Sequence, residues 1–154
     1  MNCSFDHYLI RSYRPEDAED LYRIFSDPKI MYFLEKTYTL DETVQFIQKY
    51  GMNASPYVYA LEDRKTQKLA GHVIFHRYDE DSMEIGWVLA GGYQGRGLSE
   101  RITEELIRCG VKTGYRNYVI ECSPDHQAVI HIAEKTGFVY ELNEDGLLVF
   151  RRTV

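Results

Sequence analysis

The sequence of 154 residues has few of the features that mark membrane, secreted or metal-binding proteins. Its three cysteines, Cys3, Cys109 and Cys122, lack the paired spacing of a metal site. Their odd number and the lack of a signal peptide favour a reducing compartment, so we expect a cytoplasmic protein that binds no metal. No apolar run approaches the roughly 20 residues that cross a bilayer, so we expect no membrane partner.

Basic residues are also in deficit, with 18 lysines and arginines against 24 acidic residues and a net charge of −6. This balance disfavours nonspecific binding to nucleic acid and weakly favours cationic substrates. Repeats, linkers and low-complexity segments are lacking as well. A hydrophobic content of 44%, with 13 tyrosines and 7 phenylalanines, instead predicts one packed domain over residues 1–154.

The hydrophobic periodicity predicts an alternation of strands and helices. The expected strands cover residues 8–13, 57–61, 69–76, 83–89 and 118–122, followed by a hairpin of 138–140 and 147–151. Helices are expected from Pro15, from about Leu40 to Gly51, from Leu98 to residues 110–114, and from Pro124 to a glycine cap at Gly137.

A glycine-rich turn, Gln94–Ser99, joins the strand 83–89 to the helix that follows it. Its two glycines allow a tight turn, and the first N–H groups of the helix form a ready site for an anion. Arg96 adds a positive charge. Glu100 stands where the dinucleotide fingerprint requires a small residue, and the Gly-Lys-Ser/Thr of nucleotide hydrolases is missing.

The turn instead fits the pattern Gln/Arg-x-x-Gly-x-Gly/Ala through Gln94 and Gly97, with Ser99 as a small departure. In this it resembles the pyrophosphate loop of the GNAT family of N-acetyltransferases. The likeness extends over most of the chain. Further similar segments, in the family's order, are Tyr13–Tyr22 and Ser26–Met31, which resemble the branch that acetylates ribosomal-protein N-termini, Glu84–Leu89, and Glu134–Phe138.

The resemblance implies an α/β (α+β) GNAT fold, with a central mixed, mostly antiparallel twisted sheet, a splayed parallel strand pair and flanking helices. It also implies an acetyl-coenzyme A dependent enzyme that acetylates a primary amine by direct attack. A peptide N-terminus and a small molecule such as a polyamine are both open as acceptors, and the resemblance also allows a homodimer. A noncatalytic acyl-coenzyme A binding module is the alternative, while a nucleotide-binding protein is disfavoured.

The cofactor-binding residues implied by the resemblance lie on the strand, the loop and a later helix. Backbone groups of the strand are expected to bind the pantetheine arm, with the N–H of Val88 as oxyanion donor. His126 replaces the family's usual asparagine, and imidazole can also donate and accept hydrogen bonds. The full set is Trp87, Val88, Leu89, Gln94, Gly95, Arg96, Gly97, Leu98, Ser99 and His126.

Glu84 is the predicted general base, because removal of a proton from an alkylamine at neutral pH needs a nearby carboxylate. Strand alternation places Glu84, Gly86 and Val88 on one face. The competing interpretation is a solvated or salt-bridged carboxylate. His72 and His76, which share a face of the preceding strand, are both able to shuttle a proton.

The general acid is where the sequence departs from the family. Val129 and Ala133 occupy the positions of the usual hydroxyl side chains, so the acid is another residue, a water or nothing. Tyr118 and Cys122 are the predicted substitutes, with Ser123 and His131 as further alternatives. The acceptor is expected to contact Tyr32, Glu35 and His72.

Overall fold

The computed structural model describes residues 1–154, which form eight strands and five α-helices. The strands are β1 (Cys3–Phe5), β2 (Tyr8–Arg11), β3 (Val58–Asp63), β4 (Lys68–Arg77), β5 (Ser82–Leu89), β6 (Asn117–Cys122), β7 (Val139–Glu144) and β8 (Leu147–Thr153). The helices are α1 (Ala18–Phe25), α2 (Pro28–Met31), α3 (Leu40–Phe46), α4 (Leu98–Lys112) and α5 (Gln127–Lys135). No helix is long and apolar enough to cross a membrane.

The eight strands form one sheet in the order β1-β2-β3-β4-β5-β6-β8-β7. Neighbours β1–β2, β2–β3, β3–β4, β6–β8 and β7–β8 are antiparallel, whereas β5 and β6 are parallel. The α4 helix connects this parallel pair, as a crossover requires. The predicted mixed, mostly antiparallel sheet with flanking helices is confirmed.

The chain forms two compact units. The N-terminal unit comprises Met1–Ile74 and Trp87–Arg96, and the C-terminal unit comprises Phe75–Gly86 and Gly97–Val154. The single domain expected over residues 1–154 stays a prediction.

The N-terminal unit is built around the apolar side of α1. Pro15 begins a short 3-10 turn that leads into this helix, and Leu21, Ile24 and Phe25 lie in the core at helical spacing. The guanidinium of Arg11 donates two hydrogen bonds of 2.8 and 2.9 Å to the buried carboxylate of Asp17. A bidentate pair of this kind fixes the entry into α1.

The α3 helix begins at a capping box formed by Thr39 and Glu42. The N–H of Glu42 donates to the Thr39 hydroxyl over 3.1 Å, and the N–H of Thr39 donates to the Glu42 carboxylate over 3.0 Å. The helix continues as a π-helical turn, Ile47–Gly51, whose last residue lies against the ring of Tyr13. The expected helix from Leu40 to Gly51 is therefore confirmed in extent, with a wider last turn.

The C-terminal unit places α4 on β6 through Tyr118, which is fully buried. Its phenol ring occupies the space that a side chain at Gly110 would need, so the glycine allows close approach of helix and strand. The hairpin of β7 and β8 turns at Asp145 and Gly146, which both have positive φ, at 52° and 82°. Asp-Gly is the preferred pair for such a turn.

Some elements differ from those predicted. The strand β1 was not anticipated, because its three residues are too few to show a period. The last helix begins at Gln127 instead of Pro124, since the backbone N–H of His126 bonds to the carbonyl of Ser123 in a turn that precedes the helix.

Candidate active site

The loop Gln94–Ser99 has the backbone of an anion-binding turn. Gly95 and Gly97 have φ values of +73° and +74°, in the left-handed region that favours glycine, and a Cβ at either position would meet no atom within 4 Å. Gly97 is the N-cap of the 15-residue α4, and no side chain caps this helix. The first N–H groups of α4 therefore lack a side-chain acceptor, which fits the pyrophosphate of coenzyme A.

Arg96 lies over an aromatic platform in the N-terminal unit. Its guanidinium carbon is 5.2 Å from the ring centroid of Tyr93, and Tyr8 makes an edge contact with the same ring at 6.2 Å. The Tyr93 hydroxyl donates to Asp63 over 2.6 Å. This packing holds an exposed arginine at the loop by a cation–π contact, where a charge for a phosphate was predicted.

The end of β5 carries the predicted backbone contacts for the cofactor. Gln94 donates through Nε2 to the carbonyl of Leu89 over 3.2 Å, so the loop is tied to the strand that precedes it. Val88 and Leu89 are buried. The carbonyl oxygen of Val88 lies only 2.7 Å from the point where Gly71 would carry a Cβ, which makes glycine necessary there.

The parallel ladder of β5 and β6 is short. It contains three pairs, Ser82↔Asn117, Met83↔Tyr118 and Glu84↔Val119, and ends there. The remaining residues of β6 pair only with β8. A parallel pair that stops in mid-strand agrees with the predicted splay.

Glu84, the predicted base, forms an ion pair with His76 in the C-terminal unit. Glu84 Oε2 lies 3.0 Å from His76 Nε2, and the two side chains are 20% and 21% exposed. His76 Nδ1 lies 2.9 Å from the carbonyl oxygen of Arg77. Glu84 is thus a half-buried carboxylate with one oxygen held by an imidazole, as in the salt-bridged alternative, and its role as general base stays a prediction.

Further polar groups lie near this pair. The Tyr78 hydroxyl donates to Glu121 over 2.8 Å and to Glu144 over 3.5 Å. The hydrogen bond to Glu121, together with burial, raises the pKa of Tyr78 well above its ordinary value. Sequence reasoning missed Tyr78, Glu121 and Glu144. Alternation along β6 places Glu121 on the same face as Val119, which pairs with Glu84. This alternation was a sequence signal from which Glu121 could have been predicted.

The two predicted general acids, Tyr118 and Cys122, are both buried in the C-terminal unit. The Tyr118 hydroxyl donates to the carbonyls of Ile107 and Tyr115 over 3.1 and 3.2 Å, inside the C-terminal unit. Cys122 is buried as a free thiol, and burial raises its pKa to about 11. The hydrogen bonds of the Tyr118 hydroxyl to two carbonyls, and the burial of Cys122, argue against the predicted acid roles.

His72 is enclosed in the N-terminal unit and is not placed to contact an acceptor. Its Nδ1 lies 2.6 Å from the Tyr13 hydroxyl, and the rings of Phe25 and Phe46 lie 5.2 and 5.5 Å away. Its side chain is part of a buried aromatic cluster, and burial lowers its pKa to about 3. This geometry argues against the predicted contact with substrate.

The other predicted residues differ in exposure. Tyr32 is 78% exposed and follows α2 directly, while Glu35 is exposed and bonds to the hydroxyl of Tyr38, whose pKa is raised by burial and by this carboxylate. His126 is half-buried at the N-cap of α5, and burial lowers its pKa. Leu98 is buried, and the carbonyl of Ser99 accepts from the Thr103 hydroxyl.

The family model described as "Acetyltransferase (GNAT) domain" matches residues 7–139. A curated relative, the uncharacterized N-acetyltransferase YnaD of Bacillus subtilis (strain 168), is 28% identical over 141 residues, which cover 89% of this chain and 82% of YnaD.

Solved structures share the fold. RimL, the ribosomal L7/L12 alpha-N-protein acetyltransferase in complex with coenzyme A, has a TM-score of 0.84 at 18% identity, covering 100% of this chain and 98% of its own. The spermidine N-acetyltransferase of Vibrio cholerae, in complex with coenzyme A and spermine, has a TM-score of 0.77 at 19% identity, with 96% and 95% covered. The chain therefore belongs to the GNAT family of N-acetyltransferases, and acetyl-coenzyme A is its acetyl donor.

Proposed function

We propose that this protein acetylates a cationic primary amine, with Glu84 as the general base. The observation that carries the proposal is the state of the Glu84 carboxylate. It is half-buried on β5, and its Oε2 is bound by His76, so Oε1 is the oxygen that would meet the substrate. An alkylamine has a pKa near ~10.4, so a positioned base is needed to expose its lone pair at neutral pH.

The loop Gln94–Ser99 would hold coenzyme A through the open N–H groups at the start of α4, with Arg96 adding charge. Backbone groups of Trp87, Val88 and Leu89 are the proposed contacts for the pantetheine arm, and His126 is a further one. Bound acetyl-coenzyme A supplies an activated thioester, so the protein needs no nucleophile of its own.

The acceptor class follows from charge. Glu84, Glu121 and Glu144 are three carboxylates in the C-terminal unit; Glu84 contacts His76, and the other two accept from the Tyr78 hydroxyl. A surface with this excess of negative charge attracts an ammonium group. A peptide N-terminus, as in RimL, and a polyamine, as in the Vibrio cholerae enzyme, both carry one. Tyr32 and Glu35 are the proposed contacts for the rest of the acceptor.

No residue is assigned to protonate the leaving thiolate. Val129 and Ala133 offer no hydroxyl, and Tyr118 is committed to two carbonyls. A thiol has a pKa near ~8.5, so a thiolate leaves at neutral pH without a strong acid. The low pKa of the leaving thiol would therefore allow catalysis in a chain that lacks the family's usual hydroxyl side chains.

The test begins with calorimetric titration of acetyl-coenzyme A into the wild type and Gly97→Trp. Turnover is then measured with spermidine and with a peptide whose N-terminus is Ser or Ala, for the wild type, Glu84→Gln and the control Glu80→Gln, which alters an exposed carboxylate in a turn. We expect binding to be lost in Gly97→Trp, and kcat to fall about 100-fold or more in Glu84→Gln alone.

Two outcomes would contradict the proposal. Full activity of Glu84→Gln would remove Glu84 from the mechanism. Tight binding of coenzyme A without transfer to any amine would favour a noncatalytic binding module.

We also propose a cytoplasmic location and a homodimer. The location is supported by the likeness to an enzyme that modifies a ribosomal protein, and cell fractionation tests it. Sedimentation equilibrium tests the dimer.

A further inference from the structure

We propose that His76 is the positioning residue for Glu84, holding one carboxylate oxygen through a shared proton so that the other oxygen meets the acceptor amine. The inference rests on the proposed function, because it assumes that Glu84 is the base. His76 lies near the end of β4, and Glu84 lies in β5.

The hydrogen-bond geometry fixes the number of protons. A backbone carbonyl only accepts, so the 2.9 Å contact from His76 Nδ1 to the oxygen of Arg77 places a proton on Nδ1. The opposite ring nitrogen, Nε2, lies 3.0 Å from Glu84 Oε2. A bare nitrogen lone pair facing a carboxylate at that distance would be repulsive, so a second proton lies between the two atoms.

The surroundings favour the pair of imidazolium and carboxylate. Burial by itself would lower the pKa of His76, but the bonds to Glu84 and to the Arg77 carbonyl, with the charges of Glu84 and Glu121, outweigh it and raise the pKa. Tyr78 is the other titratable group close by, and its hydroxyl donates to Glu121 and Glu144. The imidazolium therefore persists to a higher pH than in a free histidine.

A positioned carboxylate has a mechanistic consequence. With Oε2 bound to His76, rotation of the carboxylate is restricted and Oε1 is the atom that accepts the amine proton. When His76 loses its shared proton at alkaline pH, the contact becomes repulsive and the orientation is lost. The role therefore predicts that kcat falls at alkaline pH because the pair of His76 and Glu84 loses its proton. Deprotonation of the acceptor amine would have the opposite effect and raise the rate.

The test compares His76→Leu, which removes the donor, with His76→Gln, whose amide N–H donates to Glu84 but does not titrate. The control is His7→Gln, which alters another histidine–carboxylate contact, from His7 Nε2 to Asp63 Oδ1 at 3.7 Å. The kcat and KM values are measured from pH 6 to 9.5 with spermidine or the Ser/Ala-terminal peptide, whichever is turned over faster.

We expect kcat of His76→Leu to fall about 10- to 100-fold, with KM for acetyl-coenzyme A unchanged. His76→Gln is expected to stay within about threefold of wild type near pH 7 and to lose the alkaline fall. A kcat of His76→Leu equal to that of wild type would overturn the inference. So would an equal loss of kcat in His76→Leu and His76→Gln. If Glu84→Gln is fully active, the proposed function fails first.

A second measurement does not depend on activity, and its decisive reading comes from the wild type. Nitrogen-15 NMR of the histidine side chains at pH 7 should show both nitrogens of His76 protonated in the wild type, and Nε2 unprotonated in Glu84→Gln. A neutral His76 ring in the wild type would overturn the inference even if a variant failed to fold.

Discussion

The hydroxyl of Tyr13 lies 2.6 Å from Nδ1 of His72, and both side chains are buried in the N-terminal unit. The contact satisfies a polar atom on each side within a cluster of aromatic rings. Because desolvation lowers the pKa of His72 to about 3, the ring is neutral in the folded protein.

His72 should therefore make the protein sensitive to acid. The unfolded chain takes up a proton at this residue below a pH of about 6.5, while the folded protein does so only near pH 3. The stability that the neutral His72 contributes is therefore fully present above a pH of about 6.5. Below it the free energy of unfolding falls as pH decreases, by up to about 1.4 kcal/mol per pH unit. Urea unfolding between pH 7 and 4.5 measures the slope.

The matched variant is His72→Gln, whose amide can also bond to Tyr13 but does not titrate. We expect a shallower dependence on pH in this variant, whatever its stability at pH 7. Equal slopes in the two proteins would show that His72 is protonated in the folded state.

Tyr118→Phe separates a structural hydroxyl from a catalytic one. The hydroxyl donates to the carbonyls of Ile107 and Tyr115, so its removal should lower the free energy of unfolding by about 1 kcal/mol and leave kcat near that of wild type. Denaturant unfolding and a turnover assay on one sample measure both. A loss of kcat of about 100-fold with unchanged stability would instead establish the predicted general acid.

Gly97→Ala tests the backbone of the loop without adding bulk. A Cβ at Gly97 meets no atom within 4 Å, but its φ of +74° is strained for alanine. We expect a destabilisation of about 1 kcal/mol, or a shifted loop with about tenfold weaker binding of coenzyme A. Thermal unfolding and calorimetry measure these effects.

The control in the same loop region is Gly92→Ala, where a Cβ also meets open space and φ is not positive. It should match the wild type in both measurements. An identical effect of the two substitutions would mean that the left-handed backbone of Gly97 is not what binds the anion.

Gly71→Ala tests the close approach to β5. The new methyl group would lie 2.7 Å from the backbone oxygen of Val88 and 3.1 Å from a side-chain carbon of Leu89. The strand must shift, so we expect a loss of about 1–3 kcal/mol in stability and weaker binding of coenzyme A. Gly91→Ala, in open space, is the control. Unchanged affinity in a folded Gly71→Ala protein would remove this segment of β5 from the cofactor site.

Local sequence signals predicted most of the elements. The strands β4, β5 and β6 and the helix α4 lie within two residues of their expected bounds, because each has a clear period and ends at glycine or turn residues. The loop Gln94–Ser99 was found from local sequence as well, since its two glycines lie just before the helix and Gly97 is the N-cap.

The roles of individual side chains depended on contacts that no local pattern encodes. Histidine spacing placed His72 and His76 on one face of β4 as equal candidates, yet packing buries His72 among aromatic rings and pairs His76 with Glu84. Tyr118 has the chemistry of an acid, but the carbonyls of Ile107 in α4 and of Tyr115 accept its hydrogen bond.

The sequence by itself determined the order of the elements, the anion-binding turn and the membership in a family, because all three depend on short-range pattern. Only the tertiary structure decided which titratable groups are buried and which are paired with a charged partner. That distinction depends on desolvation and on partners that are distant in the chain, such as Tyr13 for His72, 59 residues apart.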